Sequence, residues 1–210
     1  MNNQSISVAT VAGRKAASLR STRSMTMISL LAAVSFVLSF LEFPVPLSPS
    51  FARMDLSDFP ALVGAMTMGP WAGVLVELVK NLLGLLSTST GGVGELANFL
   101  MGASLVFTAG LIYKQKKTRK MAVVSGVAGS VAMGIMAAIM NYFVLLPMYQ
   151  IFMPIDQVIA SFAEVIPFIH TKLDVVLYSA LPGNILKGLI VSVITMLVYK
   201  RVSPAMKGMR

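Results

Sequence analysis

At 210 residues the chain is long enough for one or two soluble domains, yet 56% of it is hydrophobic and only 12% charged, against about 25% charged in ordinary soluble domains. Its mean hydropathy is +0.81. A fold this size cannot hide that much apolar surface, so composition excludes a soluble enzyme and points to an integral membrane protein. The absence of cysteine excludes disulfides, iron–sulfur clusters and thiolate metal sites, and the single histidine, His170, cannot hold zinc alone.

Residues 1–24 are polar, Ser/Thr-rich and basic, a composition that builds no packed core, and are expected to form a mobile cytoplasmic tail. The membrane domain is expected over residues 25–202, with a second cytoplasmic tail at 203–210. Met25 to Leu41 is the first apolar span. Glu42-Phe43-Pro44 follows it where a signal peptide would show a small-residue cleavage site, so the span stays attached. Pro44, Pro46 and Pro49 stop the helix and predict an extended loop, and Asp55-Leu56-Ser57-Asp58 suits the cap of the next helix. That second span, about Phe59 to Met68, is short and ends at Gly69-Pro70. Trp71 opens a third, ended by the Ser87 to Gly92 loop; a fourth runs from about Glu95 to Tyr113 and a fifth from about Met121 to Leu146. Gly126, Gly129, Ser130, Ala132 and Gly134 in the fifth allow close helix approach. Residues 147–172 read as a long Pro-containing connection. The sixth span, about Leu173 to Tyr199, contains Pro182-Gly183 and is expected to begin late, bend or start anew there.

Of the 17 basic residues, 13 lie in three clusters at positions 14–23, 114–120 and 200–210, and none of the eight acidic residues lies there. Short basic loops stay in the cytoplasm, so six spans put all three clusters on one side, with both termini cytoplasmic. The charge is an orientation signal rather than a nucleic-acid patch, because no aromatics interleave with it.

Ionisable and amide groups inside spans are costly and mark where function should be sought. Glu77 and Lys80 stand three residues apart beside Asn81, either as an internal ion pair or as part of a site. Asn98 lies near the start of the fourth span, as a cap, an interhelical hydrogen bond or a ligand contact. Asn141 lies inside Ile139-Met140-Asn141-Tyr142-Phe143, toward the outer end of the fifth span. Asn184 and Lys187 are one turn apart on one face of the sixth span, just after Pro182-Gly183; the lysine either snorkels or, with the amide, forms a cavity wall, the reading the pair favours. Loop solvation and helix capping account for Asp55 and Asp58 more simply than catalysis does. There is no catalytic triad, and Leu189 stands where a phosphate-binding loop opening at Gly183 would need lysine. The pattern describes a small-molecule carrier without chemistry of its own.

Six stretches carry a resemblance in order along the chain: Met54-Asp55-Leu56-Ser57-Asp58-Phe59-Pro60, Gly69-Pro70-Trp71-Ala72-Gly73, Val79-Lys80-Asn81-Leu82-Leu83, Ala97-Asn98-Phe99-Leu100-Met101-Gly102-Ala103, Asn141-Tyr142-Phe143-Val144-Leu145-Leu146-Pro147 and Pro182-Gly183-Asn184-Ile185-Leu186-Lys187-Gly188. Together they resemble the riboflavin-binding S components of energy-coupling factor (ECF) vitamin transporters. The resemblance implies an all-α, six-helix membrane protein of the prokaryotic plasma membrane that binds riboflavin as transported ligand, without a cofactor. It also implies assembly with a transmembrane coupling subunit and two ATP-binding-cassette ATPases. By it, Asn141, Asn184 and Lys187 contact the flavin ring, with Asn98, Lys80, Asn81 and Asp55 as further ligand candidates. On the first helix, Ser29 and Ala33 form a small-residue face that docks on the coupling subunit or packs internally. The alternatives are a stand-alone secondary transporter, of which no internal repeat is evident, and an S component for another vitamin.

Overall fold

The computed structural model describes residues 21–44, 48–49, 53–88, 90–152 and 154–207. Residues 1–20 and 208–210, which make up most of the expected N-terminal tail and the end of the C-terminal one, lie outside the described residues. Helix α1 (Thr22–Ser39) starts inside the segment expected to be tail, where the Ser21 hydroxyl accepts from the Ser24 N–H. At the other end, the last helix continues to Lys207, five residues beyond the expected membrane boundary.

After α1 the chain turns through a two-residue antiparallel pair, β1 (Phe43–Pro44) with β2 (Arg53–Met54). Helix α2 (Asp58–Met68) is only 11 residues long, about 16 Å at 1.5 Å per residue, and is buried along most of its length. It ends at Gly69, whose φ of +111° turns the chain directly into α3 (Pro70–Gly84), with Pro70 at the first position where a missing N–H costs nothing. A short 3₁₀ turn (Leu85–Ser87) precedes α4 (Val93–Gln115), and Lys116 to Thr118 lead into α5 (Arg119–Met140).

The two prolines that threatened the later spans are absorbed by wide turns. Between α5 and α6 (Leu146–Phe152) lies a π-type turn, Asn141–Leu145, in which the Leu146 N–H donates to the Asn141 carbonyl five residues back. Pro147 follows at once. Between α8 (Lys172–Val175) and α9 (Leu181–Lys207) a second such turn, Val176–Ala180, has the Leu181 N–H donating to Val176 O, and Pro182 follows. The extra residue makes room for a ring that cannot donate and would clash in a regular turn. The helices therefore continue through both prolines. The connection 147–172 is also more ordered than expected, because α6 and α7 (Ile155–Ala163) pack Leu146, Val158 and Phe162 with Ile166, Ile169, Val175 and Val176 in a second core.

The described residues contain five helices long and apolar enough to cross a bilayer: Thr22–Ser39, Pro70–Ser87, Val93–Gln115, Arg119–Ile151 and Lys172–Tyr199. One end of the bundle gathers Phe40 at the end of α1, Ser87 after α3 and Glu95 at the start of α4. The opposite end gathers Met66 of α2, Tyr113 of α4, Arg119 of α5 and Tyr199 of α9, and Pro70 abuts Gly110 there. Helices α5 and α9 run antiparallel along a seam of small residues. A methyl group added at Gly188 would stand 2.8 Å from Ser130 Oγ, one at Gly126 would meet Ser192 at 2.9 Å, and Gly134 faces Ile185. The Ser192 hydroxyl reaches the Gly126 carbonyl across that seam.

Candidate functional site

The α5–α9 register places the amides. Gly126 opposes Ser192 and Ser130 opposes Gly188, so Asn184 falls level with Gly134, and Lys187 about one turn nearer the basic end. Asn141 continues the Gly126, Ser130, Gly134, Ala137 stripe of α5 about 10 Å further out. Each amide is half-buried and spends one N–H on the carbonyl four residues back, Asn141 on Ala137 O at 2.8 Å and Asn184 on Ala180 O at 2.9 Å. Among the described residues neither amide oxygen accepts a hydrogen bond, so each amide keeps one acceptor and one N–H to offer along the seam.

Lys187 points the other way, toward α2. Its Nζ lies 2.9 Å from Asp58 Oδ2 and 3.7 Å from Asp55 Oδ1. Asp58 is fully buried, and its other oxygen is 2.7 Å from Lys80 Nζ. Lys80 in turn lies 2.6 Å from Glu77 Oε2 and donates to Ser57 Oγ at 3.0 Å. Two lysines and three carboxylates from the loop, α2, α3 and α9 thus form one network in the interior. The α3 pair Glu77 and Lys80 is as its three-residue spacing indicates. Gly102 permits this placement, since a Cβ there would stand 2.6 Å from Glu77 Oε2. Asn81 completes the α3 face by donating to the Glu77 carbonyl at 2.8 Å.

Asp58 is the residue that the sequence undervalued. The N-cap position of α2 is Ser57, which makes no side-chain cap; Asp55 closes the turn before it, its Oδ1 accepting from the Ser57 N–H at 2.7 Å, and Asp58 holds two lysines. The available signal was that Lys187 has no acid on its own helix within reach, so its partner had to come from another element.

The other four candidates, Asp55, Lys80, Asn81 and Asn98, line one cavity of about 270 Å³ between the ends of α1 and α3 and the start of α4, together with Glu42 and Glu95. Glu95 accepts from Thr88 and Thr90 hydroxyls. Asp55 belongs to both regions, lining the cavity and facing Lys187. On α1, Ser29 and Ala33 are exposed beside Leu30, Val34 and Val37, while Ile28, Ala32 and Ser35 face the core. Among the described residues, nothing buries Ser29 or Ala33.

A bundle of apolar helices that buries charge and amides around a polar cavity defines a membrane protein built to hold a polar solute. Comparison with known proteins agrees. Residues 23–199 match the family model described as ECF transporter, substrate-specific component. The chain is 38% identical over 196 residues to a protein of Staphylococcus aureus named Riboflavin transporter RibU, covering 93% of this chain and 98% of that one. It is 30% identical over 191 residues to Riboflavin transporter FmnP of Bacillus subtilis, covering 90% and 96%. A solved structure described as the S component of a bacterial ECF transporter superposes with a TM-score of 0.67 at 37% identity, covering 87% of this chain and 96% of that one. The chain belongs to the substrate-specific components of ECF transporters. It is a transport component, not an enzyme.

Proposed function

We propose that this chain is the riboflavin-binding S component of an ECF-type transporter, capturing the vitamin from outside and delivering it with a transmembrane coupling subunit and two ATP-binding-cassette ATPases. The observation that carries this reading is the near full-length similarity to a relative named as a riboflavin transporter, and the unspent amide groups along the α5–α9 seam agree with it. The flavin's pyrimidine edge alternates acceptor, donor and acceptor, which an amide matches in both senses; Lys187 adds a donor for a ring carbonyl only by turning from Asp58. The uncharged vitamin suits a lysine already neutralised by Asp58 and Asp55. Detergent-purified protein is expected to carry the yellow absorption of bound flavin and to titrate with riboflavin. Reconstituted alone in liposomes it should show no ATP-stimulated accumulation, since the chain has no phosphate-binding loop. Concentrative uptake by the isolated chain would overturn the subunit reading in favour of a secondary transporter.

The arrangement in the bilayer follows as part of the same reading. Counting α2 with its preceding loop as one passage gives six, with both termini and the 114–120 loop in the cytoplasm of a bacterial cell, as the distribution of lysine and arginine requires. The exposed Ser29 and Ala33 then face the coupling subunit. Cysteines introduced at Lys117 and Lys207 should resist an impermeant thiol reagent in intact cells and react after permeabilisation. Labelling of either from outside would refute the six-passage arrangement.

A further inference from the structure

At the basic end of the bundle a cavity of about 690 Å³ opens between α2, α4, α5 and α9, within the range of roughly 300–1,000 Å³ that ligand pockets occupy. Its rim carries the exposed Lys117 and Arg119, its apolar floor is Met66, Ala122 and Met196, and the half-exposed Val123 stands at the edge. Tyr113 and Tyr199 close one wall, their rings 5.7 Å apart edge to face. No acidic residue lines it. Among the described residues, none of Lys114, Lys116, Lys117, Arg119 and Lys120 forms an ion pair. Arg119 and Lys120 also open α5, and no acidic residue shares that first turn. Cations are disfavoured at a helix N-terminus, where the helix dipole has the same sign, unless an anion sits beside them.

Orientation in the membrane accounts for the number of positive charges in this loop, but not for their placement around a cavity with an apolar floor. We infer that this cavity is a binding site for an anionic glycerophospholipid, the phosphate held between Lys117 and Arg119 at the start of α5 and an acyl chain lying on Met66, Ala122 and Met196. The pairing of a cationic rim with an apolar floor at the end of the transmembrane helices is the shape of that one class of ligand. A soluble anion would have no use for the floor, and a zwitterionic lipid would leave the rim uncompensated. The inference is independent of the vitamin assignment, since it uses none of the seam residues.

The test is native mass spectrometry of the detergent-purified full chain with added phosphatidylglycerol or phosphatidylcholine at equal concentration. The expected result is selective retention of phosphatidylglycerol, reduced on the order of tenfold or more in a Lys117→Gln/Arg119→Gln variant, because two interfacial cations are removed. A Lys114→Gln/Lys116→Gln variant, which loses the same charge outside the cavity, should keep the lipid. Unchanged thermal unfolding of both variants shows that folding is not at issue. Equal retention of the two lipids, equal loss in the two variants, or displacement of phosphatidylglycerol by inorganic phosphate at similar concentration would each overturn the proposal.

Discussion

Asp58→Asn is expected to lower stability by about 3–5 kcal/mol, the usual consequence of leaving a buried charge without its partner. Asp58 is wholly enclosed, with Lys80 at 2.7 Å on one oxygen and Lys187 at 2.9 Å on the other. The two lysines are not equally exposed to its loss. Lys80 keeps Glu77 and Ser57, whereas Lys187 keeps only Asp55, at 3.7 Å. The damage should therefore be reversible at one position: Asp58→Asn combined with Lys187→Met removes the stranded ammonium and should be more stable than Asp58→Asn alone, a non-additivity expected of contacting residues. Glu42→Gln serves as the comparison. Its pairing with Arg53 is long, at 3.8 Å, and both side chains are about half exposed, so its loss should be within about 0.5 kcal/mol. Thermal unfolding in detergent followed by circular dichroism gives all three values. If Asp58→Asn behaves like Glu42→Gln, the network does not hold the fold together, and its reason for persisting in the membrane interior must be sought elsewhere.

The helices were legible in the sequence because the membrane imposes long apolar runs and because glycine, proline and lysine mark where those runs end. The Glu77 and Lys80 pair was legible for a related reason: both residues lie on one helix, where spacing fixes their geometry. Asp58 was not, because its partners come from α3 and α9 and only tertiary packing brings them together. The same local outlook read residues 147–172 as a connection. Ile155, Val158, Ile159 and Phe162 recur at helical spacing and pack into the second core, but the helix they define is too short to register as a span, and Pro154 invited a loop. Pro147 and Pro182 pointed to breaks, yet the outcome depended on whether the backbone could take in one extra residue, which a proline alone does not reveal. The candidate ligand residues divided for a similar reason. Asn141 and Asn184 lie on the seam and Asn98 lines the separate cavity, a distinction set by which helices touch rather than by the residues themselves.

Removing the seam amides should weaken riboflavin binding more than any change elsewhere that leaves the fold intact. Asn141 and Asn184 each hold one N–H against the preceding turn, which fixes the direction of the remaining N–H and oxygen before a ligand arrives. A flavin edge paired with such a group loses its partner on substitution by alanine and is left buried and unsatisfied. The expected cost is on the order of 1–3 kcal/mol, or roughly ten- to a hundredfold in affinity for each. Lys187→Met acts first on the fold, because it leaves Asp58 Oδ2 without its ammonium. That substitution must be shown to be folded before its affinity is read. Asn98→Ala, off the seam, should cost less. Isothermal titration of riboflavin into the four variants makes the comparison. Wild-type affinity in both Asn141→Ala and Asn184→Ala would remove the seam as the binding site. Tight binding of thiamine or biotin, with none of riboflavin, would instead remove the vitamin assignment and leave membership of the ECF family standing.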